Sequence, residues 1–123
     1  PSRRKLARMS LIAVEAALVL VDPAGRDALV AASAQLQAAT REEEPGCLVY
    51  CFAADPVRVD LIQVYELWAD EASLTAHFDH PNYGAMRTML NEAGLASAVS
   101  RKHRVDATSP VYGHDRRPTA LFT

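Results

Sequence analysis

The chain has 123 residues, half of them hydrophobic and 23% charged, with a formal charge of −2. That is one domain's worth of chain, too apolar for general disorder and too acidic for a dedicated nucleic-acid binder, which carries a basic excess on one face. Its basic clusters, Arg3-Arg4-Lys5 with Arg8 and the run Arg101-Lys102-His103-Arg104, read as solvated surface.

Taken in order, residues 1–9 form a basic extension, followed by the run SLIAVEAALVLV over residues 10–21. This pair imitates the basic and apolar regions of a signal peptide. Glu15 interrupts the run, however, and Asp22-Pro23 stands where small cleavage-site residues belong. The run is also too short to span a bilayer and is read as a strand, apolar on both phases. Asp22 caps a helix with Pro23 at its first position. Leu29, Ala32, Leu36 and Ala39 then recur at helical spacing, predicting a helix to about Glu43. Glu44-Pro45-Gly46 ends it.

Residues 47–53 and 61–69 are β-branched and aromatic runs separated by an Asp55-Pro56 turn signal, which predicts a hairpin. In the first strand Leu48, Tyr50 and Phe52 share a phase; in the second Ile62, Val64, Glu66 and Trp68 do. Asp70 caps a short helix with Leu74 and Phe78 inward and His77 on the flank of that face. Pro81 breaks it, and a helix over 82–93 carries Tyr83, Met86, Leu90 and Ala93 on one face, with Gly94 to end it. Residues 97–108 are the last, weakly patterned strand candidate. Residues 110–123 have no periodicity, leaving 10–109 as the domain.

The order β-α-β-β-α-β predicts an α+β, ferredoxin-like fold with a four-stranded antiparallel sheet. Helices dry one sheet face only, yet both faces read as largely apolar, so the other face is expected to bury itself against a second copy in a homodimer. Cys47 and Cys51 would lie about 13 Å apart on one strand, too far for a bridge. Two free thiols in a core strand point to a reducing, cytoplasmic setting. No membrane partner is expected. His80, His103 and His114 have no ligand spacing, so no metal site is expected.

The segments PGCLVYCFAADP and QVYELWADEASLTAHFDHPNY resemble the antibiotic biosynthesis monooxygenase superfamily of dimeric α/β barrels, over about residues 11–105. The motifs are Pro-Gly-Cys before the second strand, Glu-x-Trp ending the third, Ala-His, and Pro-x-Tyr. The resemblance implies a monooxygenase that uses O2 on a phenolic, quinol or polyketide-type aromatic without metal, flavin or heme. The heme-degrading branch needs an Asn on the first strand and a His near the position of Arg87; both are lacking, so no heme is expected. A non-catalytic ligand-binding dimer, or a cyclase or isomerase using the same pocket, remains open, since each needs an apolar pocket with a few polar groups.

Such chemistry needs a base, and His77 and Glu66 are the catalytic candidates. His77 is equally readable as a structural histidine hydrogen-bonded to the sheet. Glu66 either takes part in chemistry or holds the fold through a hydrogen bond. Tyr50, Trp68, Tyr83 and Arg87 are the substrate-binding candidates: Trp68 as a stacking wall or core residue, Arg87 as an anion holder or surface ion-pair partner. The tail, with Val111, Tyr112, Leu121 and Phe122, is read as an arm that crosses to the partner subunit and borders its pocket.

Overall fold

The computed structural model describes residues 2–122; Pro1 of the expected extension and Thr123 of the expected tail lie outside the described residues. A helix, α1 (Arg3–Met9), capped by Ser2, occupies the extension that the sequence left without structure. Strand β1 (Leu11–Leu20) follows, then a 3-10 turn whose Ala24 N–H is accepted by Asp22. Helices α2 (Arg26–Ala32) and α3 (Ala34–Glu43), strands β2 (Cys47–Ala54) and β3 (Leu61–Trp68), helices α4 (Glu71–Asp79) and α5 (Pro81–Ala93), and strand β4 (Leu95–Val105) complete the domain. The sheet is antiparallel in the order β2-β3-β1-β4, the ferredoxin-like arrangement expected from the element order.

Register fixes which side chains meet the helices. Ile12, Val14, Ala16 and Leu18 of β1 stand opposite Trp68, Glu66, Val64 and Ile62 of β3. On β2, Tyr50 pairs with Glu66 and Phe52 with Val64. Leu48 departs from the expected phase: the register shifts between Cys47 and Val49, a bulge in which two residues face one, and Leu48 is turned out to solvent. The core closes around Trp68, Tyr50, Ile62, Leu74 and Met86.

The long helix expected over 23–43 is broken at Ser33; Leu29 and Leu36 of the expected stripe pack half-buried against the core, but the most deeply buried positions are polar. Ala32 is exposed, while Arg26, Ser33, Gln37 and Thr40 are buried. The reason lies in the strand beneath. β2 is a sheet edge, and an edge leaves N–H and C=O groups unpaired. Gln37 answers them as a strand would: its Oε1 accepts from Phe52 N–H at 3.0 Å and its Nε2 donates to Phe52 O at 3.0 Å. Arg41 Nε donates to Tyr50 O at 2.7 Å. At the far end Arg26 Nη1 reaches the carbonyls of Asp55, Arg58 and Leu61, closing the β2–β3 turn. A polar helix face is therefore buried because it completes the backbone pairing of the edge.

Two glycines are dictated by geometry. Gly94 ends α5 at φ 87°, a left-handed conformation that favours glycine. Gly46 packs against α4, where a Cβ would lie 2.0 Å from Ser73 Oγ. The inward residues of α4 are Leu74 and His77, whereas Phe78, expected inward, is half exposed. Likewise α5 buries Asn82 and Met86, with Ala93 outside.

The open sheet face is less apolar than the strand phases implied. It carries Tyr65 and Val99, but at its centre Arg101 Nη2 and His103 Nε2 both reach Glu15, at 2.6 and 3.0 Å. Residues 106–122 leave the domain as an irregular segment with one bridge, Tyr112 to Pro118, and Val111, Tyr112, Leu121 and Phe122 are exposed. Among the described residues no helix is long and apolar enough to cross a membrane.

The edge-closing role of Gln37 is checked by Gln37→Met, which keeps the side-chain length and removes the amide. Stranding the Phe52 N–H and C=O should cost about 1–3 kcal/mol for each buried group left unpaired. Urea and thermal midpoints should fall accordingly; unchanged midpoints would mean that water takes the amide's place.

Candidate active site

Between α4, α5 and the sheet lies a cleft of about 350 Å³. Its apolar walls are Val14 and Val64 from the sheet, Leu74 and Phe78 from α4, and Tyr83 and Leu90 from α5. Glu66, His77, Ser100 and Lys102 bring polar groups to it. The cleft exists because the helices cover β2, β3 and β1 but leave the inner face of β4 bare.

His77 is only 1% exposed, yet it borders this cleft. Its ring is held from several sides: Trp68 stacks at 4.5 Å between centroids, and Tyr83 and Tyr50 present edges at 5.3 and 5.6 Å. Nδ1 lies 2.8 Å from Glu44 Oε1. A carboxylate only accepts, so Nδ1–H donates and the lone pair of the neutral ring falls on Nε2. Glu44 Oε2 accepts from Asn82 Nδ2 at 3.2 Å, with His80 Nδ1 at 3.8 Å. Glu44 thus joins the end of α3 to α4 and α5. In the sequence Glu44 reads only as part of a helix stop. The signal was available: Gln37, Thr40 and Glu44 recur at helical spacing, continuing a polar stripe toward Pro45-Gly46.

Glu66 is buried on β3 beside Tyr50, and its Oε1 accepts from Trp68 Nε1 at 3.0 Å. Burial pushes its pKa above the ordinary carboxylate range; the Trp68 bond and a charge on His77 pull the other way, while Glu44 adds to the rise. Burial likewise raises the Tyr50 phenol, reinforced by Glu66 and Glu44. The Cys47 thiol is pushed up to about 11, by burial first and then by the same carboxylates, so it stays protonated and is a poor nucleophile.

The structure brings Glu66, His77 and Tyr83 together at the cleft. Trp68 is fully buried and does not line it; it contacts His77 and Glu66 from behind. Tyr50 is in the core, 6.5 Å from Trp68 between centroids, and also outside the lining. Arg87 is exposed and lies 5.8 Å over the Tyr83 ring, so it neither lines the cleft nor partners Glu66. Among the described residues no three His, Cys, Asp or Glu side chains converge on a metal-binding point.

Residues 12–89 match the family model described as antibiotic biosynthesis monooxygenase. Among solved structures, a Caulobacter crescentus protein named provisionally as an antibiotic biosynthesis monooxygenase superposes with a TM-score of 0.72 at 24% identity, covering 86% of this chain and 97% of that one. A Deinococcus radiodurans protein named in the same provisional way gives 0.69 at 17%, with coverages of 83% and 99%. A Bacteroides thetaiotaomicron protein of unknown function, described as a possible oxidoreductase, gives 0.68 at 22%, with 79% and 99%. At these identities the likeness is one of fold. No curated protein matches the sequence.

The raised Glu66 has a consequence for stability. In the unfolded chain the carboxyl titrates near 4.5, while in the folded chain it holds its proton to higher pH. Above 4.5 the unfolded chain therefore releases the proton first, so the residue's contribution to stability falls as pH rises. Glu66→Gln keeps an acceptor for Trp68 and removes the titration. Its melting temperature relative to the parent should climb as pH is raised from 4 toward 8. A difference that stays flat or falls over that range would contradict the burial-dominated shift.

Proposed function

The chain belongs to the antibiotic biosynthesis monooxygenase family, and from that membership we propose that it is a cofactor-independent monooxygenase acting with O2 on a phenolic, quinol or polyketide-type aromatic. One observation carries the reading. A largely apolar cleft is bordered by a histidine whose Nδ1 is taken by a buried carboxylate, leaving its other nitrogen as a base.

The roles follow from that arrangement. Nε2 of His77 takes the proton of a ring hydroxyl, and the imidazolium so formed is stabilised through Nδ1–H by Glu44, as a carboxylate steadies histidine in other acid–base sites. The resulting anion is electron-rich enough to reduce O2 itself. A carbon–oxygen bond forms, the peroxide takes up a proton, and the distal oxygen leaves as water with the hydrogen of that ring carbon. One oxygen atom remains as a carbonyl and the other ends in water. Glu66, whose burial favours the protonated carboxyl, donates to the anion as charge develops. Tyr83 and Phe78 flank the ring. Trp68 and Tyr50 hold His77 and Glu66 in place, and Arg87 acts through Tyr83.

The proposal includes a homodimer through the open sheet face. The exposed Tyr65 and Val99, with half-buried Ala17 and Leu67, offer apolar area there. The Glu15–Arg101–His103 cluster is internally paired and therefore tolerates burial better than isolated charges. The exposed apolar side chains of residues 111–122 give the tail something to bury on a partner subunit.

With an anthrone-type substrate, an oxygen electrode should record uptake. His77→Ala should lower turnover by about 100- to 10,000-fold, the usual cost of losing a general base, with the folded circular dichroism spectrum retained at room temperature but a lower melting temperature, since Glu44 loses a buried partner. Undiminished turnover would remove His77 from the mechanism, and ligand binding without oxygen uptake would favour a binding protein, a cyclase or an isomerase. Sedimentation of the wild-type chain at micromolar concentration should give twice the monomer mass, and a stable monomer would sink the dimer.

A further inference from the structure

The run Arg101-Lys102-His103-Arg104 is not one basic patch. Strand alternation divides it across the sheet. Lys102 and Arg104 pair with Val14 and Ile12, so they stand on the helix-facing side; Arg101 and His103 pair with Glu15 and Ala13 and meet the Glu15 carboxylate on the other. No helix covers β4, so the two inward cations sit at the open border of the cleft. Lys102 lines the main cleft and also a second hollow of about 370 Å³ that continues past Leu74 and Phe78 to Arg104. Arg104 is 3.9 Å from Glu71, the limit of an ion pair, whereas Lys102 makes no ion pair among the described residues.

The two hollows share Leu74, Phe78 and Lys102, and together they form one groove. At one end are Glu66 and His77; Lys102 stands where the two hollows join, and a partly compensated Arg104 is at the far end. Aromatic and aliphatic walls lie between. A neutral polycyclic phenol would leave these exposed cations to water, whereas an anionic substituent would pair with them. We infer that the substrate is an aromatic acid: a hydroxylated ring system bearing a carboxylate, which Lys102 holds with help from Arg104 while the hydroxyl is presented to His77. One uncompensated cation and one shared with Glu71 fit a single negative charge better than a doubly charged phosphate. Lys102 is then a specificity-determining residue. Arg87, the anion holder expected from the sequence, stands over Tyr83 outside the cleft. This inference rests on the oxygenase reading for the role of His77, but not for the existence of the groove.

The test uses the full chain and two probes of equal size, a dihydroxyanthraquinone carboxylic acid and its carboxamide, titrated by calorimetry at low and high salt. The acid should bind roughly 10- to 100-fold more tightly than the amide, the range of one charge-assisted contact, and the preference should shrink with salt. Lys102→Ala should reduce the ratio of the two dissociation constants, and Lys102→Glu should bring it to one or invert it. Equal binding of acid and amide, a ratio indifferent to Lys102, or binding of neither compound would overturn the inference. Oxygen uptake with the corresponding anthrones separates it from the reading beneath. A binding preference that follows Lys102 without oxygen uptake leaves the ligand class standing and removes the oxygenase. Equal uptake with acid and amide, unaffected by Lys102, does the reverse.

Discussion

The Glu44 carboxylate is the contact on which the site depends. It sits where α3 ends, buried, with one oxygen on His77 of α4 and the other on Asn82 of α5. A carboxylate removed from water needs such partners, and losing one from a buried pair typically costs about 3–5 kcal/mol. The requirement acts in both directions. One side chain ties together three helices that also pack through the core, and the imidazole is left with one tautomer and one orientation. Gly46 lets the chain that follows Glu44 approach α4 closely enough for this to happen, since any side chain there would run into Ser73.

The same economy of polar groups governs the edge of the sheet. Gln37 and Arg41 hydrogen-bond the outer backbone of β2, and Arg26 gathers the carbonyls of the following turn. A helix packed there with an apolar face would have left Phe52 and Tyr50 backbone groups stranded in a dry environment. Helix packing and strand pairing are thus one problem in this fold, and the polar stripe from Arg26 to Glu44 is its solution. The end of that stripe also reaches the cleft, so the architecture and the chemistry share residues.

The cleft is asymmetric because the helical layer is narrower than the sheet. Over β2 and β3 the side chains are sealed; over β4 they are open, and that is where the cations stand. A ligand entering from the β4 side would meet Lys102 first and Glu66 and His77 last. Charge at the entrance and aromatic packing along the path orient a molecule before its reacting group arrives.

The β-α-β-β-α-β order of the domain, the hairpin at Asp55-Pro56, the caps at Asp22 and Asp70, and the breaks at Pro81 and Gly94 were legible in the sequence, because each is a local backbone preference; helix α1 and the break at Ser33 were not. So was the gathering of Glu66 and Trp68 on one strand face, since a period of two needs only a regular strand. The hydrophobic stripe assigned to 29–39 held only in part: Leu29 and Leu36 pack against the core, but the deepest positions went to polar side chains, because hydrogen bonds to an edge strand distant in sequence drew Gln37 inward. A bulge at Leu48 reversed the local phase, and a run of four basic residues was divided between two environments by its pairing with β1. Glu44, 33 residues from the histidine it holds, became part of the site only when α3, α4 and α5 were brought together. Local propensity determined where the helices and strands lie. Which polar groups had to leave water, and therefore which had to find each other, was decided only by the tertiary packing.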